Sequence, residues 1–199
     1  MRLFDTHAHI SYPELASQID AVLDRAAKAG VEKVLAVGTS VESSRECIAL
    51  AERFSSVYAS VGIHPNDCGS VTDADFDAIR QLAAHSRVIA IGETGLDGYW
   101  NAAPMETQRE FFRRHIALSR EHGKPFIVHM RECEAEIREE IARAAAEGPL
   151  AGIMHSFTGD LDLAKSCLDA GLYISFAGMA TFKNAENLRR VAAQIPGDR

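Results

Sequence analysis

Short apolar runs alternate with longer helical patterns along this whole chain, and few folds accommodate that rhythm. Runs at 3–5, 34–37, 57–62, 88–92, 126–128, 151–154 and 172–176 have the near-continuous apolar character of strands covered on both faces. Between them, 12–29, 43–54, 73–84, 105–122, 134–147 and 160–170 are rich in Ala, Leu, Glu and Arg and read as crossover helices. Gly30, Gly123, Gly148 and Gly171 stand where their C-terminal caps belong. A strand start recurs about every 28 residues without repetition of sequence, which predicts an α/β protein built on a parallel sheet.

Two architectures have this alternation, an open doubly wound sheet and a (β/α)8 TIM-type barrel. No Gly-x-Gly-x-x-Gly loop follows the first run, as a dinucleotide-binding sheet would require. The chemically capable residues instead stand at the C-terminal ends of runs one, three, four, five and six, and convergence from so many strand ends is the barrel arrangement. A complete barrel takes about 250 residues and eight strands, whereas 199 residues supply seven runs. After the seventh come a helical segment at 185–194, the breaker Pro196-Gly197, and Asp198-Arg199. The expectation is therefore one incomplete barrel domain over 1–199, lacking the last strand and the helix after it. The alternative is a short protein whose open edge is covered by a partner or a second copy.

Composition narrows the class further. With 47% hydrophobic and 25% charged residues, the chain can bury a real core. No apolar stretch reaches the roughly 18 residues of a membrane span, and the N-terminus has no signal-peptide pattern, so a cytoplasmic location with no membrane partner is expected. A net charge of −7 argues against a protein that coats nucleic acid electrostatically, while leaving room for an enzyme that seizes a phosphate through bound metal. Cys47, Cys68, Cys133 and Cys167 form no C-x-x-C pair and read as ordinary reduced thiols.

The first run contains His7 and His9. A strand projects alternate side chains to one face, so the two imidazoles point the same way from backbones about 6.5 to 7 Å apart, close enough to grip one ion. Glu93, His129 and His155 each close a later run. Divalent ions such as zinc accept neutral imidazole nitrogen and carboxylate oxygen and leave a position open for water. His7, His9 and Glu93 can hold one ion, and Glu93 with His129 and His155 a second, because a carboxylate has two oxygens and can bridge. His85, His115 and His122 lie within or beside helices and read as structural.

Six segments resemble the TatD family of metal-dependent deoxyribonucleases in the amidohydrolase-like barrel superfamily: Asp5-Thr6-His7-Ala8-His9, Val61-Gly62-Ile63-His64-Pro65, Ile91-Gly92-Glu93-Thr94-Gly95-Leu96-Asp97, Val128-His129-Met130-Arg131, His155-Ser156-Phe157-Thr158-Gly159 and Thr181-Phe182-Lys183-Asn184-Ala185. They run in family order and cover essentially the whole chain. The resemblance implies hydrolysis of phosphodiester bonds, trimming DNA from an end. The water is activated by two divalent ions (Mg, Mn or Zn) on His7, His9, Glu93, His129 and His155, with Glu93 the catalytic carboxylate. It also implies a DNA substrate, single-stranded ends included, with His64, Arg131 and Lys183 as phosphate contacts. Two departures stand out: the family's further aspartate ligand at the end of its last strand has no counterpart here, and Gly98 stands where relatives carry an aromatic, with Tyr99 and Trp100 following at once. Alternatives are a superfamily hydrolase of an ester, amide or lactone, and an inactive metal-binding fragment.

Overall fold

The computed structural model describes residues 2–100 and 102–199. Every apolar run becomes a strand. In chain order the elements are β1 (Leu3–Ala8), α1 (Pro13–Ala16), α2 (Ile19–Lys28), β2 (Val31–Val37), α3 (Val41–Arg53), β3 (Val57–Val61), α4 (Asp73–Ala83), β4 (Val88–Asp97), α5 (Met105–His122), β5 (Phe126–Arg131), α6 (Glu134–Glu147), β6 (Gly152–Met154), α7 (Leu161–Asp169), β7 (Tyr173–Ile174) and α8 (Glu186–Ala192). The seven strands form one parallel sheet in chain order, β1 to β7. The sheet curls into a half-barrel, enough to bring the His7 ring of β1 onto the ring of His155, just beyond β6, with centroids 3.3 Å apart. This is the barrel-type α/β architecture that the alternation predicts.

Helix starts follow local capping chemistry. Ser40 and Thr72 each accept the N–H three residues on, from Ser43 and Asp75, whose side chains answer the cap backbone. That Ser40 box starts α3 at Val41, two residues earlier than the apolar pattern indicates. The expected helix over 12–29 is two helices. Gln18 leaves helical geometry at φ −131° and ψ 28°, and α1 buries no side chain that would hold it in line with α2, which is anchored by the buried Ile19.

Phe76, Ile79, Phe112, Ile116 and Phe126 are among the side chains filling the layer between sheet and helices. α5 and α6 are clamped by Glu140, whose 2%-exposed carboxylate receives Arg113 at 2.5 and 2.8 Å and Arg109 at 3.3 Å. The outer strands are barer: Leu3 and Phe4 on β1 and Tyr173 on β7 are exposed. Along β7, the Ile174 N–H donates to the carbonyl of Arg199 at 2.9 Å. None of the four cysteines is paired, and all are buried. Among the described residues, no helix is long and apolar enough to cross a membrane.

Four strands, β1, β2, β4 and β5, reach further than their apolar runs suggest. β4 continues through Glu93 to Asp97 because its register with β5 persists to the Asp97–Arg131 pair. The last residues of β4 are polar in part, yet all are buried.

Candidate metal centre

Glu93, the sixth residue of β4, is the hub of the site and only 5% exposed in its side chain. Its Oε2 lies 3.3 Å from His7 Nε2 and 3.6 Å from His9 Nε2, and those two nitrogens are 3.3 Å apart. Its Oε1 lies 3.2 Å from His129 Nδ1. One carboxylate thus serves two groups, one oxygen to each. His7, His9 and Glu93 offer ligand-type atoms within 4.8 Å of one another, and so do His64, Glu93 and His129.

The second trio differs from the expected one. β6 is only three residues long, so His155 follows its end and lies over β1, its ring nearly parallel to His7 at 6°. It still lines the same pocket, of about 860 Å³. His64, expected on the substrate side, packs edge-on against His129 with ring centroids 4.4 Å apart. Arg131 lines the pocket, whereas Lys183 stands in an exposed turn and is not among the lining residues.

The backbone explains how such a crowded centre is reached. Gly95 has φ +134°, and a Cβ there would collide with the carbonyl oxygen of His129. Glycine therefore lets β4 and β5 close up beside the two residues that must meet, Glu93 and His129. The Glu93 N–H is fastened to the Gly38 carbonyl at 2.8 Å. Two residues with left-handed backbone, Glu132 (φ 52°) and Ser156 (φ 47°), follow the β5 and β6 ends and also line the pocket. Non-glycine residues in that region cluster where function constrains the chain.

Electrostatics separates three imidazoles shifted toward the neutral form from one, His129, shifted toward the protonated form. Burial, reinforced by His129, pushes His64 down to about 4. Burial and then His7 do the same to His155, also to about 4. Burial lowers His9 as well. These rings are neutral at pH 7. For Glu93 burial alone would raise the carboxyl, but hydrogen bonds and charges from His129 and His7 hold it well below the usual carboxylate range. His129 goes the other way: burial opposes its charge, and Glu93 and Asp97 outweigh burial and raise it.

This donor set suits a divalent cation. Imidazole nitrogens and carboxylate oxygens set 3.3 to 3.6 Å apart bring lone pairs together unless protons or a cation lie between them. His129 faces a carboxylate on each nitrogen. With a cation near Glu93, its Nδ1 lone pair can turn to the ion while Nε2–H stays on Asp97.

Asp97 went unrecognised as a functional residue in the sequence. Its carboxylate is fully buried, with Oδ2 3.0 Å from His129 Nε2. Oδ1 accepts the N–H groups of Tyr99 and Trp100, both at 2.9 Å. Gln108 of α5 grips the Asp97 backbone, accepting its N–H at 2.7 Å and donating to its carbonyl at 3.1 Å. A carboxylate on the far nitrogen of a ligating histidine orients the ring and raises its basicity. The signal that would have found it is strand periodicity: 93 and 97 share a face of an extended β4.

An α/β half-barrel that gathers histidines from several strand ends around one buried carboxylate is the framework of a metal-dependent hydrolase. The chain belongs to the TatD-related DNase family, whose model matches residues 4–199. It is 38% identical over 197 residues to an uncharacterized metal-dependent hydrolase, YabD, of Bacillus subtilis, covering 99% of this chain and 77% of that protein. It is 35% identical over 199 residues to the 3′-5′ ssDNA/RNA exonuclease TatD of Musicola paradisiaca, covering 99% and 75%. In structure it matches YjjV, a TatD homolog of Escherichia coli K12, with TM-score 0.91 and 29% identity over 98% of this chain and 75% of that one. The chain thus spans about three quarters of the length of these relatives.

Proposed function

We propose that this protein hydrolyses phosphodiester bonds of DNA, removing nucleotides from the end of a single strand, with two divalent ions held about Glu93. His7 and His9 would hold one ion with Glu93. His64 and His129 would hold the other with the second Glu93 oxygen, and His155 completes the wall between them. The observation that carries this reading is the sharing of one buried carboxylate between two ligand trios. The exonuclease name borne by the Musicola paradisiaca relative supports the substrate class and a 3′-to-5′ direction.

Bound at this donor set, Mg, Mn or Zn would supply Lewis-acid polarisation of phosphoryl oxygens and a water acidic enough to be deprotonated near neutral pH. The protein's own residues do the rest. Glu93 stays ionised at any working pH, so it neutralises positive charge without competing protons. Asp97 keeps His129 in the tautomer that turns Nδ1 toward Glu93. Arg131, at the rim, offers a planar fork for a phosphate that a lysine could not match.

The test pits substrate classes against each other. The protein is incubated with Mg²⁺ or Mn²⁺ and single-stranded DNA or RNA carrying a 3′ label, and separately with aryl esters and lactones. Release of labelled nucleotide that stops with EDTA is expected. Ester or lactone turnover without any release would overturn the phosphodiesterase assignment.

A further inference from the structure

Beside the pocket lie two aromatic side chains that the hydrolysis leaves unemployed, packed against Arg131. Tyr99 and Trp100 are 47% and 60% exposed, although large aromatic rings ordinarily find cover. They are not on a loose loop. Asp97 Oδ1 holds both their N–H groups, and the Gly98 N–H donates to the Arg131 carbonyl at 2.8 Å. A Cβ on Gly98 would strike the Glu132 carbonyl, so the turn is pressed against the end of β5 in a way only glycine permits. The two rings meet edge to face at 4.9 Å. The Arg131 guanidinium lies 3.7 Å from the Tyr99 centroid and 5.4 Å from that of Trp100. Arg131 also lines the pocket that contains Glu93, so this surface is continuous with the site.

We propose that Tyr99, Trp100 and Arg131 form a stacking platform for an unpaired nucleobase of the strand whose phosphodiester enters the pocket. The proposal rests on the phosphodiesterase reading above and adds to it how the strand is held. A nucleobase has two π faces, and rigid aromatic rings beside a guanidinium take such faces with little regard to base identity. In a duplex those faces are already covered by neighbouring pairs, so the platform selects single strands. Arg131 meets the adjoining phosphate with the same cation that lies over the rings. Asp97 links the two functions, because one of its oxygens orients His129 and the other displays the platform.

Trp100 is the only tryptophan in the chain, so its emission reports the platform directly. The Mg²⁺-loaded protein is titrated with a phosphorothioate-linked oligothymidylate, which resists hydrolysis, and with a duplex of the same length. Saturable quenching by the single strand, at least about tenfold tighter than by the duplex, is expected. In Tyr99→Ala the quenching midpoint moves about tenfold higher, and in Trp100→Ala the same loss is read from the anisotropy of a labelled strand. Trp100→Phe, which keeps a stacking ring, restores most of it. Unchanged emission, or equal quenching by strand and duplex, overturns the platform. Turnover of bis(p-nitrophenyl) phosphate is read separately on the wild type: turnover with unchanged emission sinks the platform alone, whereas quenching without turnover of any phosphodiester sinks the hydrolase reading and leaves a strand-binding surface.

Discussion

His115 and His129 are both largely withdrawn from water, yet they shift in opposite directions, because burial prevails at His115 and two carboxylate partners outweigh it at His129. His115 Nε2 accepts the Ile63 N–H at 3.1 Å, so the proton sits on Nδ1 and is donated to the Phe111 carbonyl at 2.7 Å. Burial pushes this ring down to about 4. The unfolded chain takes up the proton at about 6.5. The stability tied to the neutral ring is therefore fully present above that pH and is lost as pH falls toward 4, by about 3 kcal/mol in all. Urea midpoints measured from pH 7 to pH 4.5 should fall, and His115→Gln should flatten the fall; an identical slope in the variant would contradict this assignment. His129 is held by Asp97 instead. Asp97→Asn should leave the fold intact and weaken Mn²⁺ binding by about 10- to 100-fold, measured by calorimetric titration. Unaltered affinity would show that Asp97 orients nothing.

At the scale of elements, the close approach of β4 to β5 and the clamp between α5 and α6 are the contacts with least slack. Gly95→Ala would combine a strained φ with a clash against the His129 carbonyl, each costing about 1–3 kcal/mol. A loss of about 3 kcal/mol or more in urea unfolding is expected, with metal binding lost alongside. Glu140→Gln would strip Arg109 and Arg113 of their charge partner, and because those guanidinium groups are partly solvated the cost should be about 1–3 kcal/mol in the same assay. The strands were legible because a sheet covered on both faces writes itself as apolar runs. Their ends were not. β4 passes 92 because β5 pairs with it as far as Arg131, a fact of register invisible in either segment alone. Asp97 was hidden for the same reason, since it lies beyond the apolar run and its partner His129 is 32 residues away.

For the molecule as a whole, the order of elements around the sheet could be read from the chain, and so could the gathering of His7, His9, Glu93, His129 and His155 at one end. Depth within that end could not. Register shifts in the β1–β2, β3–β4 and β4–β5 pairings decide how far each side chain reaches. His64 comes to lie beside Glu93 and His129, while His155, just past the three-residue β6, is stacked on His7. The platform of Tyr99, Trp100 and Arg131 likewise needs β4 and β5 side by side before it exists. All these features converge on Glu93 as the buried carboxylate shared by two ligand-type trios in a member of a metal-dependent hydrolase family. The most direct test follows a 5′-labelled single-stranded oligonucleotide with Mg²⁺ or Mn²⁺, comparing wild type with Glu93→Gln. The wild type should shorten the strand from one end, stop in EDTA and resume when the ion is restored, while Glu93→Gln should be slower by about 10³-fold. Equal shortening by the variant, or shortening that persists in EDTA, would contradict the account.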